Sequence, residues 1–374
     1  MPEAARVLPF APRQRRQNLS AASAIEAASE YLKSLREGRS PESIFVDLRQ
    51  PEIIFAVINL LKELLETAPA EVCEAAADLF NRVQRSSEPL GLFDEKDYVC
   101  GELARFAGAA CRAIGEYEKA ERWFDRADAA YQNTINPGPL LASVAYARLA
   151  VRYETHRYDE ILDLIPDLLR TFAKLGMSAE AFKTRFVHAL TLRAAGRGED
   201  AFQAFLTLCA DLEDSPERSL FGQVLVHLGD YTASLGEFDQ AQAYYQRAVP
   251  VIAAHGRATA VAELKWSIGS TYRAQGRLKA ALEAYRAARA DYHQLGHANF
   301  ESFVGLAIAD TLLSLGKPRE AEWEILAALP AIAKADLGAE VAAAVALLQE
   351  TARQRRADPR ALSDLRERLS SSYR

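Results

Sequence analysis

The chain has 374 residues, a formal net charge of −6, and 49% apolar and 26% charged residues. That length gives two or three globular domains or one long repeat array, with a core large enough to need no disulfide or metal staple. The balance excludes collagen-like and globally disordered chains.

Residues 1–18 hold Pro2, Pro9 and Pro12 among arginines and read as a disordered basic arm of net charge +3. From Ser20 the pattern turns helical, with Ile25, Ala28, Leu32 and Leu35 as a stripe that stops at Gly38. Ser40-Pro41 starts a short helix, Ser as cap and Pro in the first turn. Pro51 starts another, which carries an apolar run to Leu65. That run is too short for the roughly 20 apolar residues of a membrane span. Arg15-Arg16 is followed by Gln17, Asn18 and Glu26, so neither a signal peptide nor a twin-arginine signal fits, and a cytoplasmic location is expected. Pro69 opens a fourth helix with Val72, Ala76, Leu79, Phe80 and Val83 inward, and Pro89-Leu90-Gly91 is a loop. Residues 19–98 thus form a helical block that caps whatever follows. A DNA-reading helix pair is not expected, because residues 52–66 carry Lys62 as their only base.

A period of forty then appears. Gly196, Gly236, Gly276 and Gly316 are spaced by 40; Gly115 lies 81 before Gly196, and His156 fills that gap at 41. Four copies are clear: Gly115-Glu-Tyr117 to Ala127, Gly236-Glu-Phe238 to Ala248, Gly276-Arg-Leu278 to Ala288, and Gly316-Lys-Pro318 to Ala327. Each glycine suits a left-handed turn between helix A and helix B. Ala120, Ala241, Ala281 and Ala321 let B approach A, and Phe124, Tyr245 and Tyr285 are expected to fill the space towards the next repeat. Leu228-Gly229, Ile268-Gly269 and, less closely, Ala107-Gly108 stand on the A helices. In the second copy Ile161 takes the place of the small residue, and in the third Gly198 takes that of the turn aromatic.

This pattern resembles the tetratricopeptide repeat, over about residues 101–335 and six repeats. The resemblance implies an all-α fold: a right-handed α-solenoid with the array at 99–335 and helical caps at 19–98 and 336–374. The period of 40 instead of the family's 34 requires a longer helix B or a longer link. Such long repeats are similar to those of bacterial sensory and regulatory members of the family. After the array, residues 338–356 read as an Ala-rich helix and 358–371 as a last polar one, broken at Asp358-Pro359.

No motif carries catalysis. There is no dinucleotide or phosphate loop, no nucleophile elbow and no H-E-x-x-H. His293 and His297 stand four apart, but Gly296 between them marks a helix end. Cys73, Cys100, Cys111 and Cys209 form no C-x-x-C pair and are expected to be small buried hydrophobes. No metal, cofactor or enzymatic activity is expected.

The resemblance also implies where a ligand sits, because the family's A helices line the concave face. Counting back from each turn gives Glu102, Arg105 and Arg112 in repeat one, and Lys183, Phe186 and Arg193 in repeat three. Repeat four gives Gln223, Val226 and Asp230; repeat five gives Glu263, Trp266, Ser270 and Arg273; repeat six gives Leu306 and Asp310. Arg148 and Arg152 lie nearby in repeat two. Arg105, Arg112, Lys183, Arg193 and Arg273 put positive charge on this face, while Phe186 and Trp266 add aromatic surface. The expectation is a non-catalytic peptide- or protein-binding scaffold for an acidic or C-terminal peptide, with a peptide-responsive regulator as the alternative. The family's Lys/Asn chaperone-tail clamp is not reproduced. Internal pairing of these arginines with Glu102, Asp230 or Glu263 is the competing reading of the same residues.

Overall fold

The computed structural model describes residues 21–37, 51–65, 68–85, 93–334 and 338–354. Among the described residues there are sixteen α-helices and no strand. The expected arm at 1–18, the helix at Ser40-Pro41, the loop at 89–91 and the polar helix at 358–371 lie outside them. The chain divides into two compact units between Met177 and Ser178.

The first unit contains α1 (Ala21–Arg36), α2 (Pro51–Leu64), α3 (Pro69–Arg85), α4 (Phe93–Ala113), α5 (Tyr117–Tyr131), α6 (Pro137–Glu154) and α7 (Tyr158–Leu175). Its core gathers Ile54, Val57 and Leu61 of α2, Val72, Leu79 and Val83 of α3, Leu103 and Ala107 of α4, and Phe124 and Tyr131 of α5. All five residues expected to face inward from α3 are buried. On α1, Ala28 and Leu32 of the expected stripe are buried, but Ile25 is 52% exposed and Ala24 and Tyr31 are buried beside them. Tyr31 reaches across to α3 and donates its hydroxyl to Asp78 at 2.8 Å.

The second unit contains α8 (Ser178–Ala194), α9 (Gly198–Leu212), α10 (Arg218–Ser234), α11 (Phe238–His255), α12 (Ala258–Ala274), α13 (Leu278–Gln294), α14 (Ala298–Ser314), α15 (Pro318–Lys334) and α16 (Gly338–Gln354). One cluster of buried side chains centres on Phe205, Val224, Leu225, Tyr245 and Ile252. The other centres on Tyr285, Tyr292, Ile308, Leu312 and Ile325. Fully burying one such apolar side chain is worth about 1.5–3 kcal/mol relative to leaving it exposed.

Six helix pairs, from α4–α5 to α14–α15, repeat one local design. The second residue after each A helix is left-handed: φ is 82° at Gly115, 78° at Gly196, 81° at Gly236, 73° at Gly276 and 70° at Gly316. His156 takes the same role at φ 58° and is the only non-glycine with positive φ among the described residues. The next N–H then reaches back to the carbonyl five residues earlier: Arg277 to Tyr272 at 2.8 Å, Glu237 to Thr232 at 3.0 Å, and Arg157 to Arg152 at 2.8 Å. This closure satisfies carbonyls that a helix end otherwise leaves without a donor. The extra residues of the period lie in helix B where α7 and α11 run 18 residues each, and in the links 132–136 and 213–217 where α5 and α9 run 15.

Within a pair the contact is glycine against ring. A Cβ on Gly108 would stand 2.7 Å from Phe124, one on Gly229 2.5 Å from Tyr245, and one on Gly269 2.7 Å from Tyr285. These rings pack on the glycine of their own repeat as well as facing the next one. The hydroxyl of Tyr245 lies 3.1 Å from Thr271 Oγ1 of the following repeat, and the Arg148 guanidinium of the following repeat lies 5.7 Å from the Phe124 ring. Ala120, Ala241, Ala281 and Ala321 are fully buried on the facing helices. Where Gly198 replaces the turn aromatic, Tyr231 of the next A helix occupies the space, 3.3 Å from a Cβ position, and stacks on Phe202.

Candidate functional site

The helix-A residues named from sequence fall into both units. In the first, Arg105 binds Glu102 through Nε at 3.3 Å and Nη2 at 2.7 Å, and lies 4.7 Å over the Phe106 ring. Tyr131 donates its hydroxyl to the same carboxylate. Arg112 pairs with Glu154 of α6. Arg148 is engaged by Glu121, Asp125 and Asp128, all on α5, and Arg152 lies 3.4 Å from Glu160. These arginines are fork donors already matched to carboxylates; Arg105 pairs within α4, while Arg112, Arg148 and Arg152 join one helix to another.

In the second unit, α10 presents Gln223, Val226, His227 and Asp230 on one face, at offsets of three, four and seven residues. On α12, Ala260, Glu263, Trp266 and Ser267 share a face at offsets of three, six and seven residues. With Ile252 of α11 these residues line a cavity of about 140 Å³. Asp230 is its polar centre. Its Oδ1 accepts the Tyr245 hydroxyl at 2.8 Å, and the Ser267 hydroxyl also holds it. Burial raises the Asp230 carboxyl above its usual range, while Tyr245, Ser267 and Arg193 counter part of that rise. At the exposed rim, the Glu263 carboxyl is raised as well: packing around it is the main cause, Asp230 adds, and Arg257 opposes.

His227 forms one wall. Its ring lies 5.2 Å from Phe205, nearly parallel, and 5.3 Å from Phe186. Arg193 Nη1 is 3.2 Å from His227 Nδ1. A guanidinium only donates, so Nδ1 accepts and the proton of the neutral ring sits on Nε2. Burial, reinforced by Arg193, pushes the imidazolium pKa down to about 3. His227 is therefore a neutral wall at ordinary pH and no cation. Asp230 Oδ2 stands 3.9 Å from Nδ1, beyond hydrogen-bond reach.

Of the residues named from sequence, Gln223, Val226, Asp230, Glu263 and Trp266 line the cavity, with Arg193 and Phe186 behind its His227 wall. Arg273 pairs with Asp310 of α14. Lys183 is exposed, with no ion pair among the described residues. Sequence reasoning gave His227, Phe205 and Tyr245 no part in the site. The signal for His227 was present, since it stands three residues before Asp230 on the same helix. The phenol of Tyr245 arrives from helix B, which the counting rule does not sample. Among the described residues no group of His, Cys, Asp and Glu is set to hold a metal, and no helix is long and apolar enough to cross a membrane.

The tetratricopeptide-repeat family pattern matches residues 220–294, which span α10 to α13 and most of the cavity lining. This segment carries tetratricopeptide repeats. No curated protein matches the sequence significantly. Solved structures with tetratricopeptide-like helical folds are similar at low identity. One is the Rap conjugation gene regulator of the plasmid pLS20 in complex with a Phr peptide, at TM-score 0.59, 14% identity and 86% of each chain. A second is a Rap protein complexed with Competence and Sporulation Factor, at TM-score 0.54 and 15% identity, covering 94% of this chain and 99% of that one. A third is aspartyl phosphate phosphatase F from Bacillus subtilis, at TM-score 0.52, 12% identity and 84% of each chain. At these identities the chain shares their fold, and nothing about its activity follows from them.

Proposed function

We propose that the chain is a non-catalytic, cytoplasmic peptide-binding protein that takes a short peptide on the α10–α12 face of its second unit. The observation that carries the reading is the cavity around Asp230, walled by His227 and Trp266. The arginines that suggested an acidic or C-terminal ligand are engaged elsewhere: Arg105 with Glu102, Arg112 with Glu154, Arg273 with Asp310 and Arg193 with His227. The cavity itself offers two carboxylates, a neutral imidazole and an indole. That lining favours a peptide with a basic side chain, whose cation sits by Asp230 and whose stem packs on Trp266.

The test is fluorescence polarisation with two pools of short labelled random peptides, one with a fixed arginine and one with a fixed glutamate. The arginine pool is expected to bind, and Asp230→Asn, which keeps an acceptor for Tyr245, to weaken it about tenfold or more. Preferential binding of the glutamate pool, lost in Arg193→Glu, would restore the acidic-ligand reading. Binding of neither pool would overturn the site.

A regulator that responds to such a peptide is the second reading. Its support is that two of the similar structures are described as complexes with a peptide or a factor, one of them a conjugation gene regulator. Compaction on adding the bound peptide, seen in solution scattering, is the expected mark; an unchanged profile favours a static scaffold.

A further inference from the structure

Cys73 in the first turns of α3 and Cys111 near the end of α4 bring their sulfurs to 2.9 Å, although they lie 38 residues apart in sequence. Both belong to the first unit, in which α3 packs along α4. Cys111 is fully buried, while Cys73 is half-buried and reachable from solvent. The charged groups around the pair are Glu74 on α3, Glu116 before α5 and Lys119 within it, with Lys119 Nζ bound to Glu116 at 2.7 Å. The hydrogen bond from Cys111 is the main influence that lowers the Cys73 thiol pKa; Lys119 helps, and burial and the two glutamates oppose. Cys100 is a contrast, since burial pushes its thiol up to about 11 and no second sulfur stands against it among the described residues.

We propose that Cys73 and Cys111 form a reversible oxidation site, at which a hydroperoxide converts the two thiols into a disulfide joining α3 to α4. The Cys73 thiolate attacks one peroxide oxygen. The O–O bond breaks, the alcohol or water leaves with the thiol proton, and Cys73 becomes a sulfenic acid. The Cys111 sulfur then attacks the Cys73 sulfur, the S–O bond breaks, and hydroxide leaves as water with the Cys111 proton. Two thiols and one hydroperoxide thus give one disulfide, one alcohol (or water) and one further water. The accessible sulfur meets the oxidant, and the buried one resolves it before further oxidation.

The test treats the reduced full chain with hydrogen peroxide, blocks remaining thiols with a maleimide, and reads the intact mass and the linked peptides. The expected product has lost two hydrogen atoms, keeps two of its four thiols, contains a Cys73–Cys111 peptide and returns to four thiols with dithiothreitol. Cys100→Ser/Cys209→Ser retains the change and Cys73→Ser abolishes it, with circular dichroism showing that the helices persist. Four surviving thiols at a peroxide dose that oxidises glutathione would overturn the proposal. So would a disulfide joining another pair, or Cys73 carried to the sulfinic acid with Cys111 untouched.

Discussion

Gly229→Ala tests the ring-on-glycine packing directly. The new methyl carbon would lie 2.5 Å from Cε1, 2.8 Å from Cδ1 and 2.9 Å from Cζ of Tyr245. The ring is nearly fully buried, and its hydroxyl is tethered to Asp230 and Thr271, so it cannot back away and keep both partners. Overpacking of this kind costs about 1–3 kcal/mol, and a weakened bond to a carboxylate adds about 1–2 kcal/mol. Alanine returns roughly 1 kcal/mol in helix propensity over glycine. The net expectation is a loss of about 2 kcal/mol, or roughly 4–8 °C in the melting midpoint. Gly305→Ala is the control, because its Cβ would meet only Ala328 and a Glu324 carbonyl at 3.8 and 3.9 Å. There the propensity gain stands alone, and the midpoint should rise by about 2–4 °C. Tyr245→Leu combined with Gly229→Ala should lose less than the sum of the single changes, by about 1 kcal/mol. Thermal melts followed by circular dichroism decide the matter. If Gly229→Ala and Gly305→Ala shift the midpoint in the same direction, the glycine is not there to admit the ring and the packing argument fails.

Three further outcomes follow from other parts of the molecule. His156→Gly should be neutral to within about 0.5 kcal/mol, because relief of left-handed strain and the freer unfolded chain nearly cancel, whereas Gly236→Val should cost about 1–2 kcal/mol; urea midpoints check both. His227 is held near 3 in the fold against 6.5 when unperturbed, so the unfolded chain binds the extra proton between those values. The stability contribution is complete above pH 6.5 and fades as pH falls towards 3, and His227→Phe should flatten that part of a melting-point-against-pH curve. Oxidation of the Cys73–Cys111 pair closes a 38-residue separation, for which chain entropy gives about 4 kcal/mol of stabilisation, so the oxidised first unit should resist urea better than the reduced one.

The repeat was legible because its determinants are local. A glycine at the helix end, an alanine five residues later and an aromatic beyond it all sit within one hairpin, and their spacing survives in the sequence. His156 was placed in the turn by the period alone, and its φ of 58° shows that the backbone enforces the turn even with a side chain present. The candidate site was legible by half. Counting along the A helices found Asp230, Glu263 and Trp266, since a helix face is periodic. It could not say what each charge was paired with, because Arg273 finds Asp310 and Arg112 finds Glu154 on other helices, and such pairings depend on how helices pack. The thiol pair was invisible for the same reason, as its two members share no local motif.

At Gly115, Gly196, Gly236, Gly276 and Gly316 a Cβ would meet nothing within 4 Å, so the space beside each turn is open solvent. What these positions require is therefore a handedness and not a small size. A mirror-image residue has its energy minimum where an L-residue is strained. D-alanine at Gly276 should thus fit without a clash and stiffen the unfolded chain, while L-alanine at the same position pays for its chirality alone.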